Sequence, residues 1–306
     1  MKKILIIKHG SLGDIVFALP AIHSICEHFS KSHIDLLTQQ KYFSFLKPSR
    51  YFKKFIEDNR SPNPYVTLKI LLRILINRYD LVIDLQNSSR TSYYNFFLRM
   101  FSKSKISSSR KFSHFKYIIP IQGVETSTQG LFNQIKILNI KEISNIKYNW
   151  LVTKLEPKYE NKIVLFIPGV SKGGEYKQWD PNKLANIAKY CEDKKYNVCV
   201  VGTSNDHNSI LPILKKCKNI INKIDISPPD IIYSIACRST LIITNDTGPG
   251  HVAALSGSKI LWLINDNNIS KANISENPNN FKILTDSIKN LSVKEVIYFI
   301  DKNNLL

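Results

Sequence analysis

The sequence predicts an α/β protein built as two parallel-sheet domains. Three observations lead there. Short β-branched apolar runs alternate with helix-like runs along the whole chain, as parallel sheets require, because each crossover must return over a sheet face. Two of those runs, one at the start and one near the end, lead into glycine-bearing turns that open helices. With 306 residues, 43% of them hydrophobic, the chain can build two cores of ordinary size.

The first half reads as strands over residues 3–8, 33–37, 81–85, 105–107 and 117–119. The second half reads as strands over 162–167, 197–201, 220–221, 241–244, 259–263 and 282–284. A polar stretch at 152–161, with Pro157, separates a domain of residues 1–155 from one of residues 156–306. Residues 265–280 are asparagine-rich and read as a loop. Residues 293–301 read as a last helix, expected to pack back on the first domain.

Charge is distributed unevenly. The net formal charge is +19, of which residues 1–150 carry +14. No acidic residue lies between Asp84 and Glu125, whereas Arg90, Arg99, Lys103, Lys105, Arg110, Lys111 and Lys116 all do. Such a patch suits an anionic partner: a nucleic acid, a membrane surface or an acidic substrate. Compositional drift in a Lys-, Asn- and Ile-rich chain accounts for the total but less well for the asymmetry. No nucleic-acid-binding module is recognisable, so no nucleic-acid partner is expected. The five cysteines show no C-x-x-C pair and read as reduced residues of a cytoplasmic protein. Lys8, His9 and Asp14 interrupt the apolar start before it could form a signal peptide. Residues 65–76 carry Lys69 and Arg73 and are too short to span a bilayer.

Two turns are candidate sites. The run Asn245-Asp246-Thr247-Gly248-Pro249-Gly250-His251 follows a strand and precedes a helix-forming stretch. Free N–H groups at such a helix start favour an anion such as a phosphate, and glycines allow close approach. A plain helix cap at Asp246 or Thr247 is the simpler alternative. At the other end, His9-Gly10-Ser11-Leu12-Gly13-Asp14 joins a strand to a helix. The full G-x-G-x-x-G spacing is absent, so a dinucleotide fingerprint is not supported. Asp14 stands either as a functional carboxylate at a strand edge or as a helix cap.

Taken together, three motifs resemble glycosyltransferase family 9, the ADP-heptose:lipopolysaccharide heptosyltransferases. They are Lys8-x-x-x-x-Gly13-Asp14 with Pro20 downstream, Lys177-x-Trp179-x-Pro181, and Asp246-Thr247-Gly248-Pro249-x-His251. Tyr79 to Gln86, ending Asp84-Leu85-Gln86, resembles a fourth. The resemblance implies a GT-B fold, with two Rossmann-like domains facing a cleft. It implies an inverting transferase that uses no metal and no cofactor, with a nucleotide-sugar donor and an anionic glycolipid acceptor at the cytoplasmic face of the inner membrane. Asp14 would then be the base that takes the acceptor proton. Lys177 would neutralise the donor phosphates as a point charge, the alternative being an exposed lysine near a helix start. Ser171, Lys172, Asp246, Thr247, Gly248, Pro249 and His251 would line the donor site, although His251 could equally be a satisfied core histidine. Lys8, Gly10, Ser11, Asp84 and Gln86 would serve the acceptor side. Trp179 reads as a packing residue.

The chain departs from the family after residue 263. Ile264-Asn265-Asp266-Asn267-Asn268 stands where relatives carry a Gly-Pro-Thr-like loop, and His9-Gly10 replaces a small polar pair. The first departure bears on donor choice. It leaves open another nucleotide sugar, or a relative that binds donor without turnover.

Overall fold

The computed structural model describes residues 2–121, 125–143, 146–152, 162–266, 274 and 277–306. It divides into two compact units, Met1–Trp150 and Leu151–Leu306. The interdomain stretch expected at 152–161 lies outside the described residues except at Val152.

Unit one contains β1 (Lys3–Ile7), α1 (Leu12–His28), β2 (His33–Thr38), α2 (Phe43–Leu46), β3 (Lys54–Glu57), α3 (Pro64–Asn77), β4 (Leu81–Asp84), α4 (Ser89–Phe101), β5 (Lys105–Ser108), β6 (Phe115–Lys116) and α5 (Ser127–Lys136). Its six strands pair in the order β3-β2-β1-β4-β5-β6, and every pairing is parallel. Helices cover both faces of such a sheet, so its central strands are continuous apolar runs rather than alternating ones. Ile4, Leu5, Ile6 and Ile7 of β1 are all fully buried. On one face, Ile70, Leu71 and Ile74 of α3 share a core cluster with Tyr94 and Leu98 of α4.

Unit two contains β7 (Ile163–Ile167), α6 (Pro181–Asp193), β8 (Asn197–Gly202), α7 (His207–Lys216), β9 (Ile220–Ile224), α8 (Pro229–Ala236), β10 (Ser239–Asn245), α9 (Gly248–Ala254), β11 (Ile260–Asn265), β12 (Asn280–Thr285) and α10 (Val293–Lys302). The strand order is β12-β11-β10-β7-β8-β9, again parallel throughout. Both sheets therefore follow one plan. The chain lays two strands outward from a central strand, then returns to its other side and lays three more. The reversal falls between β1 and β4 in unit one and between β7 and β10 in unit two. Open α/β sheets bind ligands at such points, beyond the strands' carboxyl ends.

Two strands of unit one differ from the sequence reading. The strand expected at 117–119 is instead Phe115–Lys116, because pairing with the four-residue β5 ends at Ser108 opposite Lys116. Strand β3 was not foreseen: it is an edge strand in which only Ile56 is buried, so it lacks an apolar signature. The last helix buries its apolar face in unit two. Val296 and Ile300 share a core cluster with Phe166, Trp179 and Leu263, and α10 packs on α6. Of the loop expected at 265–280, Asn265 ends β11 and Asn280 begins β12; 267–273 and 275–276 lie outside the described residues.

If α10 is part of that core, Ile300→Ala should destabilise unit two by about 2–5 kcal/mol. A denaturant titration followed by tryptophan fluorescence reads this, since Trp179 is in the same cluster; an unchanged midpoint would contradict the assignment.

Candidate functional site

In unit one, β1 delivers the turn at 8–14. Ser11 caps α1, and Asp14 occupies the third helical position. Both the backbone N–H and the hydroxyl of Ser11 donate to Asp14 Oδ2, at 2.6 and 2.8 Å, while the Asp14 N–H donates back to Ser11 Oγ at 3.4 Å. This reciprocal box satisfies helix-end donors and fixes the carboxylate's direction. The cap and the candidate base are thus one residue. Gly10 makes the arrangement possible. Its φ is +117°, and a Cβ there would lie 2.5 Å from Asp14 Oδ2. Tyr42 Oη donates to the Gly10 carbonyl at 2.9 Å, and the Gly10 N–H donates to Gln39 Oε1 at 3.3 Å. Ser11 is exposed.

Beside it, β4 ends in Asp84-Leu85-Gln86. Gln86 Oε1 accepts from the His9 N–H at 2.9 Å, so the two strand ends are tied together. Lys8 is buried and donates from Nζ to the Leu85 carbonyl at 3.3 Å. Burial pushes its ammonium below the usual lysine range, against the opposing pull of Asp14 and Asp84. Asp84, expected on the acceptor side, is fully buried. Its Oδ1 accepts from the N–H groups of Gln86 and Asn87, at 3.1 and 3.0 Å. Its Oδ2 accepts from Asn95 Nδ2 and Ser108 Oγ, at 3.2 and 3.0 Å. Asp84 organises the β4–α4 turn and has no surface to offer a substrate.

Sequence reading missed Asp58, which follows β3. Its side chain is fully buried and takes a bidentate contact from Arg90, 3.1 Å from Nε and 2.9 Å from Nη2. Tyr94 Oη donates to it at 2.6 Å, and His9 Nε2 lies 3.2 Å away. That last approach is close without being a well-directed hydrogen bond. Burial works against ionisation of Asp58, but His9, Arg90 and Tyr94 outweigh it and hold the carboxyl well below the usual range. The cluster anchors His9, and with it the turn that carries Asp14.

In unit two, the segment after β7 and the turn after β10 meet. Lys177 Nζ lies 2.8 Å from Asp246 Oδ2, and His251 Nε2 lies 3.0 Å from Asp246 Oδ1. Burial again opposes ionisation of Asp246, but the contacts from His251 and Lys177 prevail and bring its carboxyl down to about 2. Lys177 remains partly exposed, whereas Asp246 and His251 are nearly buried. The His251 ring packs on Trp262, with centroids 4.9 Å apart. Gly250 permits this packing, since a Cβ there would meet Thr244 Oγ1 at 2.7 Å and Trp262 at 3.1 Å. Thr247 caps α9 without a side-chain hydrogen bond, and Gly248 and Pro249 begin that seven-residue helix.

Two asparagines to which the sequence reading gave no role position Lys177. Asn245 Oδ1 accepts from the Trp179 N–H at 3.1 Å. Asn265 Nδ2 donates to the Tyr176 carbonyl at 2.9 Å, while its Oδ1 accepts from the Ile288 N–H at 2.7 Å. Trp179 is buried, and its Nε1 donates to the Leu291 carbonyl at 3.0 Å. Ser171 and Lys172 sit exposed on the same β7–α6 segment. Among the described residues no group of three His, Cys, Asp or Glu could hold a metal ion. Each unit thus brings two strand-end segments together at its reversal point: one holds an oriented carboxylate, the other a cation on a buried acid.

Residues 68–263 match the model of glycosyltransferase family 9 (heptosyltransferase). Lipooligosaccharide heptosyltransferase 2 of Campylobacter jejuni is 28% identical over 286 residues, 88% of this chain and 82% of that protein. Among solved structures, Escherichia coli ADP-heptose LPS heptosyltransferase II superposes with a TM-score of 0.77 at 17% identity, covering 100% of this chain and 98% of that one. Escherichia coli heptosyltransferase WaaC, solved with ADP-2-deoxy-2-fluoro heptose, gives 0.79 at 14% identity, covering 98% and 99%.

Two outcomes follow from the geometry. Gly10→Ala forces a strained backbone and pushes on the Asp14 carboxylate, so it should lower stability by roughly 1–3 kcal/mol, read as a drop in melting temperature; an unshifted melt would contradict the close approach. Asp58 and Asp246 are both held below the unfolded carboxyl range, so what they contribute is complete above about pH 4 and lost as pH falls further. In melts from pH 7 down to 3, Asp246→Asn should flatten part of that acid slope, and an identical slope would argue against the ion pair.

Proposed function

The chain belongs to glycosyltransferase family 9, and on that premise we propose that it moves a heptose from ADP-heptose to an inner-core lipopolysaccharide sugar. The reaction inverts the anomeric centre. Asp14 takes the proton of an acceptor hydroxyl. The resulting oxygen attacks the anomeric carbon, the bond from that carbon to the diphosphate oxygen breaks, and ADP departs. The observation that carries the reading is a strand-end carboxylate in one unit and a partly exposed lysine on a buried acid in the other. Both lie within the motifs that resemble the family, and the solved relative WaaC holds an ADP-heptose analogue.

Ser11 engages only Oδ2 of Asp14, which leaves Oδ1 to act as the proton acceptor. Lys177, helped by Ser171, Lys172, Thr247 and the backbone of Gly248 and Pro249, stabilises the charge that grows on the departing diphosphate. Asp246 aims Lys177 before the donor arrives, and His251 keeps Asp246 ionised and oriented. Ser11, Gly10 and Gln86 are the acceptor-side groups, with Lys8 adding positive charge beneath them. Residues 1–155 serve the acceptor and 156–306 the donor. A lipid-linked acceptor places the enzyme at the cytoplasmic face of the inner membrane. A second reading keeps the mechanism but changes the donor. It is favoured by Asn265, whose side chain is committed to Tyr176 and Ile288 where the family carries a different loop.

Asp14→Asn preserves the cap's shape but removes the base, so turnover of ADP-heptose should fall about 10²–10⁴-fold with an unchanged melting temperature. Unchanged turnover would sink the mechanism. A panel of ADP-, UDP- and GDP-sugars tests the donor: preference for a UDP- or GDP-sugar would select the second reading.

A further inference from the structure

The outward surface of α3 and α4 is apolar where a solvated helix face should be polar. Both helices pack their inner sides into the unit-one core. On α3, Tyr65, Leu68, Leu72 and Ile76 follow one another at helical spacing on the outside, with Leu72 48% and Ile76 78% exposed. On α4, Tyr93, Phe96 and Met100 form a second stripe, with Tyr93 66% and Met100 61% exposed. Phe112 extends it, its ring 5.1 Å from that of Phe96. A helix that is apolar on both sides has a second apolar environment to meet, and a contiguous patch of this kind marks an interaction site.

Charge identifies the environment. Neither helix contains an acidic residue, and the interval from Asp84 to Glu125 contains none either. The exposed cations Lys69, Arg73 and Arg99 lie among the apolar stripes. Their long stems can lie along apolar surface while their charges reach outward. A second copy of this chain would meet the same positive charge, in a segment where residues 1–150 carry net +14. A bilayer with anionic headgroups offers both an apolar layer and the complementary charge, and aromatic rings suit its boundary. Among the described residues no helix is long and apolar enough to cross a membrane, so the contact is interfacial.

We propose that the α3–α4 face is a membrane-docking surface, seating Leu72, Ile76, Tyr93 and Met100 at the headgroup boundary while Lys69, Arg73 and Arg99 hold anionic lipid. It does not depend on the reaction proposed above, because docking needs neither donor nor acceptor.

The test is flotation of the full-length protein with vesicles of phosphatidylcholine alone or mixed with phosphatidylglycerol. Wild type should float with the mixed vesicles, and less so as salt rises. Leu72→Gln/Ile76→Gln/Met100→Gln should lose about tenfold or more in partitioning at an unchanged melting temperature, since all three side chains are exposed. Lys69→Gln/Arg73→Gln/Arg99→Gln should lose the preference for phosphatidylglycerol by a similar factor. No flotation of the wild type, or flotation that both variants retain, overturns the proposal. So does self-association that the apolar variant abolishes in a protein that ignores vesicles, since the occupant is then a second copy. Heptose transfer to a delipidated acceptor reports the reaction separately, and its absence leaves the docking surface standing.

Discussion

In each sheet the strand order reverses beside the first strand of the unit, and the chemistry follows from that reversal. Where β1 and β4 lie side by side, their crossovers leave in opposite directions, and so do those of β7 and β10. The two strand ends and their turns therefore lie side by side at that point. All four sequence motifs sit there. The first turn carries Asp14, and the one after β4 carries Gln86. The segment after β7 carries Lys177, and the turn after β10 carries Asp246. Tertiary topology thus explains why residues far apart in sequence, Lys177 and Asp246, meet at 2.8 Å.

Within that frame three buried carboxylates do different work. Asp84 spends both oxygens on neutral donors and shapes a turn. Asp58 pairs with Arg90 and Tyr94 and carries His9 with it. Asp246 pairs with the one cation of its cluster that remains partly exposed. Arg90 is tied through Nε, Nη1 and Nη2, whereas Lys177 meets Asp246 through Nζ, so the Lys177 charge is the freer to change partner when an anion arrives. Removing one member of a buried pair strands the other, so such clusters are held together by the cost of breaking them more than by the net gain of forming them. That cost keeps the turns in one conformation, and a catalytic group needs a single direction.

Much of this was legible in the chain. The fully buried strands announce themselves as unbroken apolar runs, as Ile4–Ile7 and the core of β10 do. The turns announce themselves by glycine and by a carboxylate at the helix start. The edge strands of unit one did not, because β3 buries a single residue and β6 is two residues long. The burial of Asp84 was hidden for a related reason: a strand-end carboxylate looks the same in sequence whether its donors are water or Asn95 and Ser108. The roles of Asn245 and Asn265 were not legible, since their partners lie 66 and 89 positions away. The dual nature of Asp14, cap and candidate base at once, was visible as two alternatives; the structure makes them compatible.

The claim most exposed to test is that Lys177, poised on Asp246, receives the donor's diphosphate. Calorimetric titration of ADP into the wild type and into Lys177→Met, which keeps the stem but removes the charge, addresses it directly. ADP affinity should fall by about tenfold or more, as expected when a charge-assisted contact to phosphate is lost, in a variant that remains folded. Equal affinity in the two proteins would contradict it and would return Lys177 to the role of a surface lysine in an ion pair.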